Sequence, residues 1–392
     1  MLDVALKLLK ELTSRSYKAY IVGGFVRDYI LGIESSDIDI TTNATPKNIK
    51  EIFKDNCLPN EDYGSVVVVL KGVRFELTTF RSESNYIDNR RPSEVKYIDD
   101  LYPDLLRRDF VINTLCMDEN GEILDYLGGQ DDIRNRIIHT VGDPIEKFSE
   151  DSLRILRAIR FATILDFDLS ADVANAIKRT KSSVKSLSYF RKKNELDKIF
   201  SSSNRDKGIR LILDFGLQEE LELYNLNELL NVKINNSIGV WSLLNVEDIY
   251  PFSKNELDLI KGINRVLKSN NLDAFILYKY GLYVNSCAGE IKGIDIGKIT
   301  DSYNKLVIKN RADIQITSDQ IMEVLNREPG KYIKDIYEDI EKEILYKRIN
   351  NVNDEIIKYI ENKYRYEIFY EKGIIIFINS CYFGFWLSGL CD

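Results

Sequence analysis

The sequence predicts a small α+β head, a mixed sheet with helices packed on it, followed by an all-α remainder. Three observations carry this reading. Short β-prone apolar runs occupy residues 20–22, 37–41, 65–70 and 73–80, with helical patterns between them. From Asp143 onward strand signals fade and helical periodicity dominates. The turn-forming Gly142-Asp143-Pro144 marks the change and predicts a boundary near residues 140–150. At 392 residues, 44% hydrophobic and 30% charged, the chain is folded and globular but too long for one compact core.

The elements follow in order. Residues 2–14 read as an opening helix, and the run ending at Val22 enters the pair Gly23-Gly24, a turn that opens a second helix carrying Arg27 and Asp28. Asp37-Ile38-Asp39 lies in the next strand. Thr45 caps a helix over residues 45–55, with Pro46 at its first position. Lys71-Gly72 joins two strands as a hairpin. Residues 81–92 (RSESNYIDNRRP) are polar without apolar periodicity and read as a mobile loop, and residues 103–113 read as a helix carrying Arg107, Arg108 and Asp109. Ser149 is placed to cap a helix over residues 149–161, SEDSLRILRAIRF. Helical breaks are expected near residues 201–204 and 286–297. The apolar tail 373–391 contains Asn379 and two serines, which favours a buried terminal segment over a membrane anchor.

Composition excludes several chemistries. A single histidine, His139, cannot build a His-rich metal site, and it is expected to face solvent at a strand end. Five scattered cysteines without a C-x-x-C pair read as thiols in a reducing cytoplasm, and no signal-peptide pattern opens the chain. A catalytic metal should then be held by carboxylates, which favours magnesium or manganese. The net charge is −8, yet residues 171–216 hold eleven Lys/Arg against five Asp/Glu. That excess reads either as a phosphate-binding stripe or as a solvated helix face.

Asp37 and Asp39 stand at i and i+2, so on a strand they share a face and repel unless a cation lies between them. Behind a glycine turn, where backbone amides can approach phosphate, they point to metal-assisted attack on a nucleoside triphosphate. Glu76 could complete the metal shell or take a proton, or simply pair with Arg74 or Arg81. Arg108 could reach a triphosphate or ribose oxygen, or pair with a neighbouring acid. Asp151 and Arg154 are i,i+3 neighbours, with Arg157 and Arg160 continuing the row. They form either a surface ion-pair ladder or a base reader. Cytosine and adenine each offer an exocyclic amine to a carboxylate and an unprotonated ring nitrogen to a guanidinium. Guanine and uracil would leave both groups mismatched, at roughly 1–3 kcal/mol per contact.

The motifs VGGFVRD, DIDITT, TTFR…RRP, LLRRDFVINTL, LDYLGGQDDI…VGDP and EDSLRILRAIRF, in this order, resemble class II tRNA nucleotidyltransferases, the bacterial CCA-adding enzymes. Related bacterial poly(A) polymerases share the same head. The likeness is dense across residues 20–165 and fainter through 186–200, where the family usually has an acid in place of Phe190. The resemblance implies a nucleotidyltransferase head (1–148), a helical neck that recognises the base (149–204), a helical body that binds tRNA (205–300) and a helical tail (301–392). It implies magnesium at Asp37 and Asp39, and nucleotide contacts from Gly24, Arg27, Arg108, Arg157 and Arg160. Asp151 and Arg154 fall on the base-reading pair. The expected activity is addition of C, C and A to tRNA from CTP and ATP, with partial-reaction or poly(A)-adding relatives as the near alternatives. A non-catalytic RNA-binding protein is the distant one.

Overall fold

The structure is a computed structural model that describes residues 1–371 except 36, 59–63, 88–90 and 235. Residues Met1–Lys261 form one compact unit and Gly262–Asp392 a second.

The first unit opens with α1 (Leu2–Thr13), whose Ala5, Leu8, Leu9 and Leu12 are buried at helical spacing. Then come β1 (Ala19–Val22), α2 (Gly24–Leu31), β2 (Asp39–Thr42), α3 (Pro46–Phe53), β3 (Ser65–Leu70) and β4 (Val73–Thr79). A polar hairpin of β5 (Arg81–Ile87) and β6 (Arg91–Tyr97) follows, then α4 (Leu101–Leu106), β7 (Cys116–Met117) and β8 (Ile123–Leu124). The main sheet has the order β3-β4-β2-β1-β7-β8. It is mixed, because β2 runs parallel to β4 while β1 is antiparallel to β2 and β7. Thr45 caps α3 as its side-chain oxygen accepts from the Asn48 amide, and Lys71 and Gly72 both take positive φ at the β3–β4 turn.

Helices then take over: α5 (Gly129–Asn135), the short strand β9 (Ile137–Ile138), α6 (Pro144–Glu150), α7 (Leu153–Ile164), β10 (Asp168–Leu169), α8 (Ala171–Thr180), α9 (Tyr189–Phe200), α10 (Arg205–Asp214), α11 (Gln218–Leu221) and α12 (Ser237–Leu244). The division between units falls inside α13 (Lys254–Leu267). In the second unit, α14 (Ala274–Lys292), α15 (Ile296–Asn304), α16 (Ser318–Leu325), α17 (Tyr332–Leu345) and α18 (Asn353–Glu371) are present. Its core joins Ile308, Ile321, Ile336, Ile340, Ile356 and Ile360. A kink at Gly281 interrupts α14, and Asn285 Nδ2 donates to the Ile276 and Gly281 carbonyls that the kink frees.

Four local expectations are corrected. Asp37 precedes β2 instead of lying within it. Residues 81–87 and 91–97 pair as antiparallel strands where a loop was expected; their polar sequence hid them, since ladder hydrogen bonds need no apolar alternation. The helix expected over 103–113 stops at Leu106, because Asp109 Oδ1 accepts from the Phe110 amide and from Asn113 Nδ2, a local alternative to helical bonding. The helix expected from Ser149 is two helices. Ser149 ends the first, donating to the Ile145 carbonyl, and Asp151 is extended between them at φ −147° and ψ 107°. The break expected over 286–297 falls at Gly293, which ends α14 in a left-handed conformation before α15 begins at Ile296. The apolar tail 373–391 lies outside the described residues.

Candidate active site

The site begins where β1 turns into α2. Gly23 takes φ +84°, a conformation that favours glycine, and its amide donates to the Leu115 carbonyl at 3.1 Å. A Cβ at Gly23 would stand 3.6 Å from Arg108 Nη1, so the turn and that guanidinium are neighbours. Arg27 lies in the first turn of α2 and is only 7% exposed. It donates to Asn113 Oδ1 at 2.6 Å and to Asp28 at 2.9 Å, so it braces the turn against the segment after α4.

Across the cleft, Asp39 and Glu76 are direct register partners on β2 and β4. With Arg107, Arg108, Arg81, Ser65 and Thr78 they line a cavity of about 400 Å³. Among the described residues, the carboxylates of Asp37, Asp39 and Glu76 have no hydrogen-bond donor and no ion-pair partner. The Asp39 carboxyl is pushed up to about 6 by lost hydration and by the charges of Asp37 and Glu76, against the pull of Arg108. Crowded, unpartnered oxygen donors of this kind suit a hard divalent cation, which takes one or two carboxylates and completes its shell with phosphate oxygens and water. Among the described residues no group of three or more His, Cys, Asp or Glu side chains is placed to hold a metal ion.

Beneath the arginines sits Asp104, fully buried on α4. It takes Arg107 at 2.8 Å, Arg108 at 3.3 Å, the Thr41 hydroxyl at 3.2 Å and the Arg81 amide at 3.2 Å. Burial alone would raise its pKa, but Arg107 and Arg108 hold it below the usual carboxylate range. Arg108 Nε is buried with no hydrogen-bond partner, a donor left over for a ligand.

The α6–α7 corner carries the other expected residues, and their pairings differ from the row the spacing suggested. The Arg154 amide donates to the Asp151 carbonyl at 3.0 Å, while the Asp151 side chain is held from another helix. Both Asp151 oxygens accept from Arg191 on α9, at 2.8 and 3.1 Å, and Oδ1 also takes the Leu153 amide. Arg154 is buried and contacts Glu150 and the Lys147 carbonyl. Arg157 Nε reaches Asp109 at 2.6 Å, and Arg160 lies 2.9 Å from Glu195. Burial opposes the charge on Asp109, but Arg157, Asn113 and the Phe110 amide together keep its pKa low.

The sequence pattern described as "Poly A polymerase head domain" matches residues 19–139, and that of "tRNA nucleotidyltransferase domain 2 putative" matches 250–360. A third, "Probable RNA and SrmB- binding site of polymerase A", matches 166–223. The CCA-adding enzyme of Ligilactobacillus salivarius is 33% identical over 384 residues, covering 90% of this chain and 95% of its own. The chain belongs to the CCA-adding enzymes, a family of tRNA nucleotidyltransferases. A Staphylococcus aureus family member is likewise 33% identical, over 92% of this chain and 98% of its own. The Bacillus stearothermophilus CCA-adding enzyme, solved in complex with CTP, superposes with a TM-score of 0.81 at 27% identity, over 94% of this chain and 98% of that one.

Several residues of this family member escaped the sequence reading. Asn113, Arg191 and Glu195 each hold an arginine or acid of the site from a distant segment, so no local spacing marked them, whereas Asp104 stands three and four positions before Arg107 and Arg108 and is the neighbouring acid that spacing allowed. Phe190 is 64% exposed, and the ties from its helix to the α6–α7 corner run through Arg191 and Glu195. The basic excess over 171–216 is not one outward stripe. Lys192, Lys193 and Arg205 are buried against carbonyls and acids, and Arg191 and Lys207 are paired. Lys178, Arg179, Lys185, Lys198 and Arg210 remain exposed. His139 is exposed beside β9, its Nδ1 at 2.9 Å from Asp132. Cys57 and Cys116 are thiols, Cys116 buried. Among the described residues no helix is long and apolar enough to cross a membrane.

Proposed function

We propose that this enzyme builds the whole CCA end of tRNA from CTP and ATP, with Asp37 and Asp39 holding magnesium and Glu76 acting as the base. The carrying observation is the trio of carboxylates without partners beside the glycine turn, two of them register partners across one cleft. The tRNA 3′-hydroxyl attacks the α-phosphate in line and gives its proton to Glu76. A phosphorus–oxygen bond to the primer forms as the bond to the β-phosphate breaks, and pyrophosphate leaves. Magnesium bound at Asp37 and Asp39 would neutralise charge on the attacking and leaving oxygens. Arg108 offers its spare Nε–H to the nucleotide, while Gly24 lets the phosphates approach the α2 amides. Arg27, Arg157 and Arg160 supply positive charge behind them.

Base choice falls to Asp151, accepting from the exocyclic amine, and Arg154, donating to the ring nitrogen. Arg191 holds the Asp151 side chain in place. Arg154 trades its Glu150 contact for the base. The exposed Lys178, Arg179 and Lys185 offer charge to the tRNA backbone, with 149–204 as neck, 205–300 as body and 301–392 as tail. The thiols of Cys57 and Cys116, unbridged among the described residues, support a cytoplasmic location.

One gel tests the reading. Purified protein is given tRNA lacking its 3′ end with CTP, ATP or both. Growth by CC with CTP alone and by CCA with both supports complete addition. Arrest at CC with both nucleotides, growth by A alone, or a long adenosine ladder overturns it.

A further inference from the structure

We propose that Phe161 is a positioning residue whose ring fixes Arg27, Arg157 and Arg160 relative to one another, coupling the phosphate-facing helix α2 to the base-reading helix α7. Three guanidinium carbons lie near this one ring, at 5.1 Å for Arg27, 5.4 Å for Arg157 and 4.2 Å for Arg160. The ring is nearly buried, and the edge of Phe110 meets it at 5.6 Å and 77°. Phe110 in turn follows Asp109, the residue that holds Arg157. The proposal rests on the reading that these arginines face the bound nucleotide.

Three like charges at this separation repel, and their acids are not shared. Arg27 has Asp28, Arg157 has Asp109, and Arg160 has Glu195. The Arg160–Glu195 contact is also incomplete: Arg160 Nε and Glu195 Oε2 are buried without a hydrogen bond. What the three cations have in common is the electron-rich π face of Phe161. An aromatic face attracts a guanidinium, most strongly where water is excluded, whereas leucine would fill the same space without that attraction. Arg27 comes from α2, and the other two from α7, so the ring is where the phosphate end and the base end of the site are tied together. A triphosphate pulling on one arginine is thereby resisted by the others.

The test replaces Phe161 with phenylalanines carrying one, two and three ring fluorines, which keep shape but drain the ring's negative face. CTP affinity is measured by equilibrium dialysis without tRNA, alongside the wild-type tRNA extension assay. The CTP dissociation constant should rise stepwise, reaching at least about threefold with three fluorines, while the melting temperature stays within ~2 °C. Phe161→Tyr should bind CTP as the wild type does, and Phe161→Leu should raise KM far more than it lowers kcat. A flat fluorine series, or equal loss in the Tyr and Leu variants, overturns the proposal. If wild-type protein binds CTP with the fluorine trend but does not extend tRNA, the CCA reading fails and the Phe161 role stands. If it extends tRNA and the trend is flat, the Phe161 role alone fails.

Discussion

Asp39 on β2 and Glu76 on β4 sit directly opposite each other in a parallel register, so their side chains rise from the same face of the sheet. Their mutual repulsion is one reason the Asp39 carboxyl stands at about 6. Glu76 therefore belongs to the same cleft and has not been absorbed by Arg74 or Arg81. Asp39→Ala should abolish incorporation of both CTP and ATP while tRNA binding by filter retention stays within about twofold. Glu76→Gln should slow single-turnover incorporation by roughly 10²-fold, the lower range for a lost general base, with CTP affinity unchanged. Substantial magnesium-dependent activity in the Asp39 variant would sink the metal assignment.

Asp104 predicts an acid-sensitive fold. Its folded pKa is below the unfolded value, so its stabilisation is present above about pH 4 and is lost as pH falls through the folded value. Asp104→Asn removes one partner of a buried charge cluster and should lower unfolding stability by about 3 kcal/mol near neutrality. Urea titrations from pH 3 to 7 should show the gap between the two proteins closing toward the acid end. A constant gap would mean the carboxylate charge is irrelevant.

Arg191 predicts a loss of accuracy before a loss of fold. It donates to both oxygens of Asp151 from 40 positions away. Arg191→Ala should raise KM for CTP and ATP together by roughly tenfold, the equivalent of one charge-assisted hydrogen bond. Unchanged KM values would show that Asp151 needs no such support.

Arg154→Ala tests the base reader itself. Incorporation of C and A should fall together, or U and G should begin to enter, measured with each of the four nucleotides singly. Unaltered rates with U and G still excluded would place base reading elsewhere.

The placement of Asp37 and Asp39 was legible because it is local. Asp37 and Asp39 bracket the buried Ile38, and the alternation survives even though the strand proper starts only at Asp39. The glycine turn is likewise encoded within a few residues of itself. The arginine pairings were not legible, because helical spacing names only near neighbours. Arg157 finds Asp109 at 48 positions' separation, and Asp151 finds Arg191 rather than Arg154. The break at Asp151 was hidden for a related reason: acids suit the first turn of a helix, so Ser-Glu-Asp reads as a start, and only the Arg191 bond and the Leu153 amide mark Asp151 as a joint.

That break has a consequence for how the site can be altered. Asp151 belongs to neither α6 nor α7, whereas Arg154, Arg157 and Arg160 all ride on α7 as one rigid block. One residue added between Asp151 and Leu153 would rotate that block by about 100° while leaving the carboxylate where it is. The spacing across the joint thus works like the phase between two gears. Substitutions change the teeth, but a single insertion or deletion there changes which teeth meet.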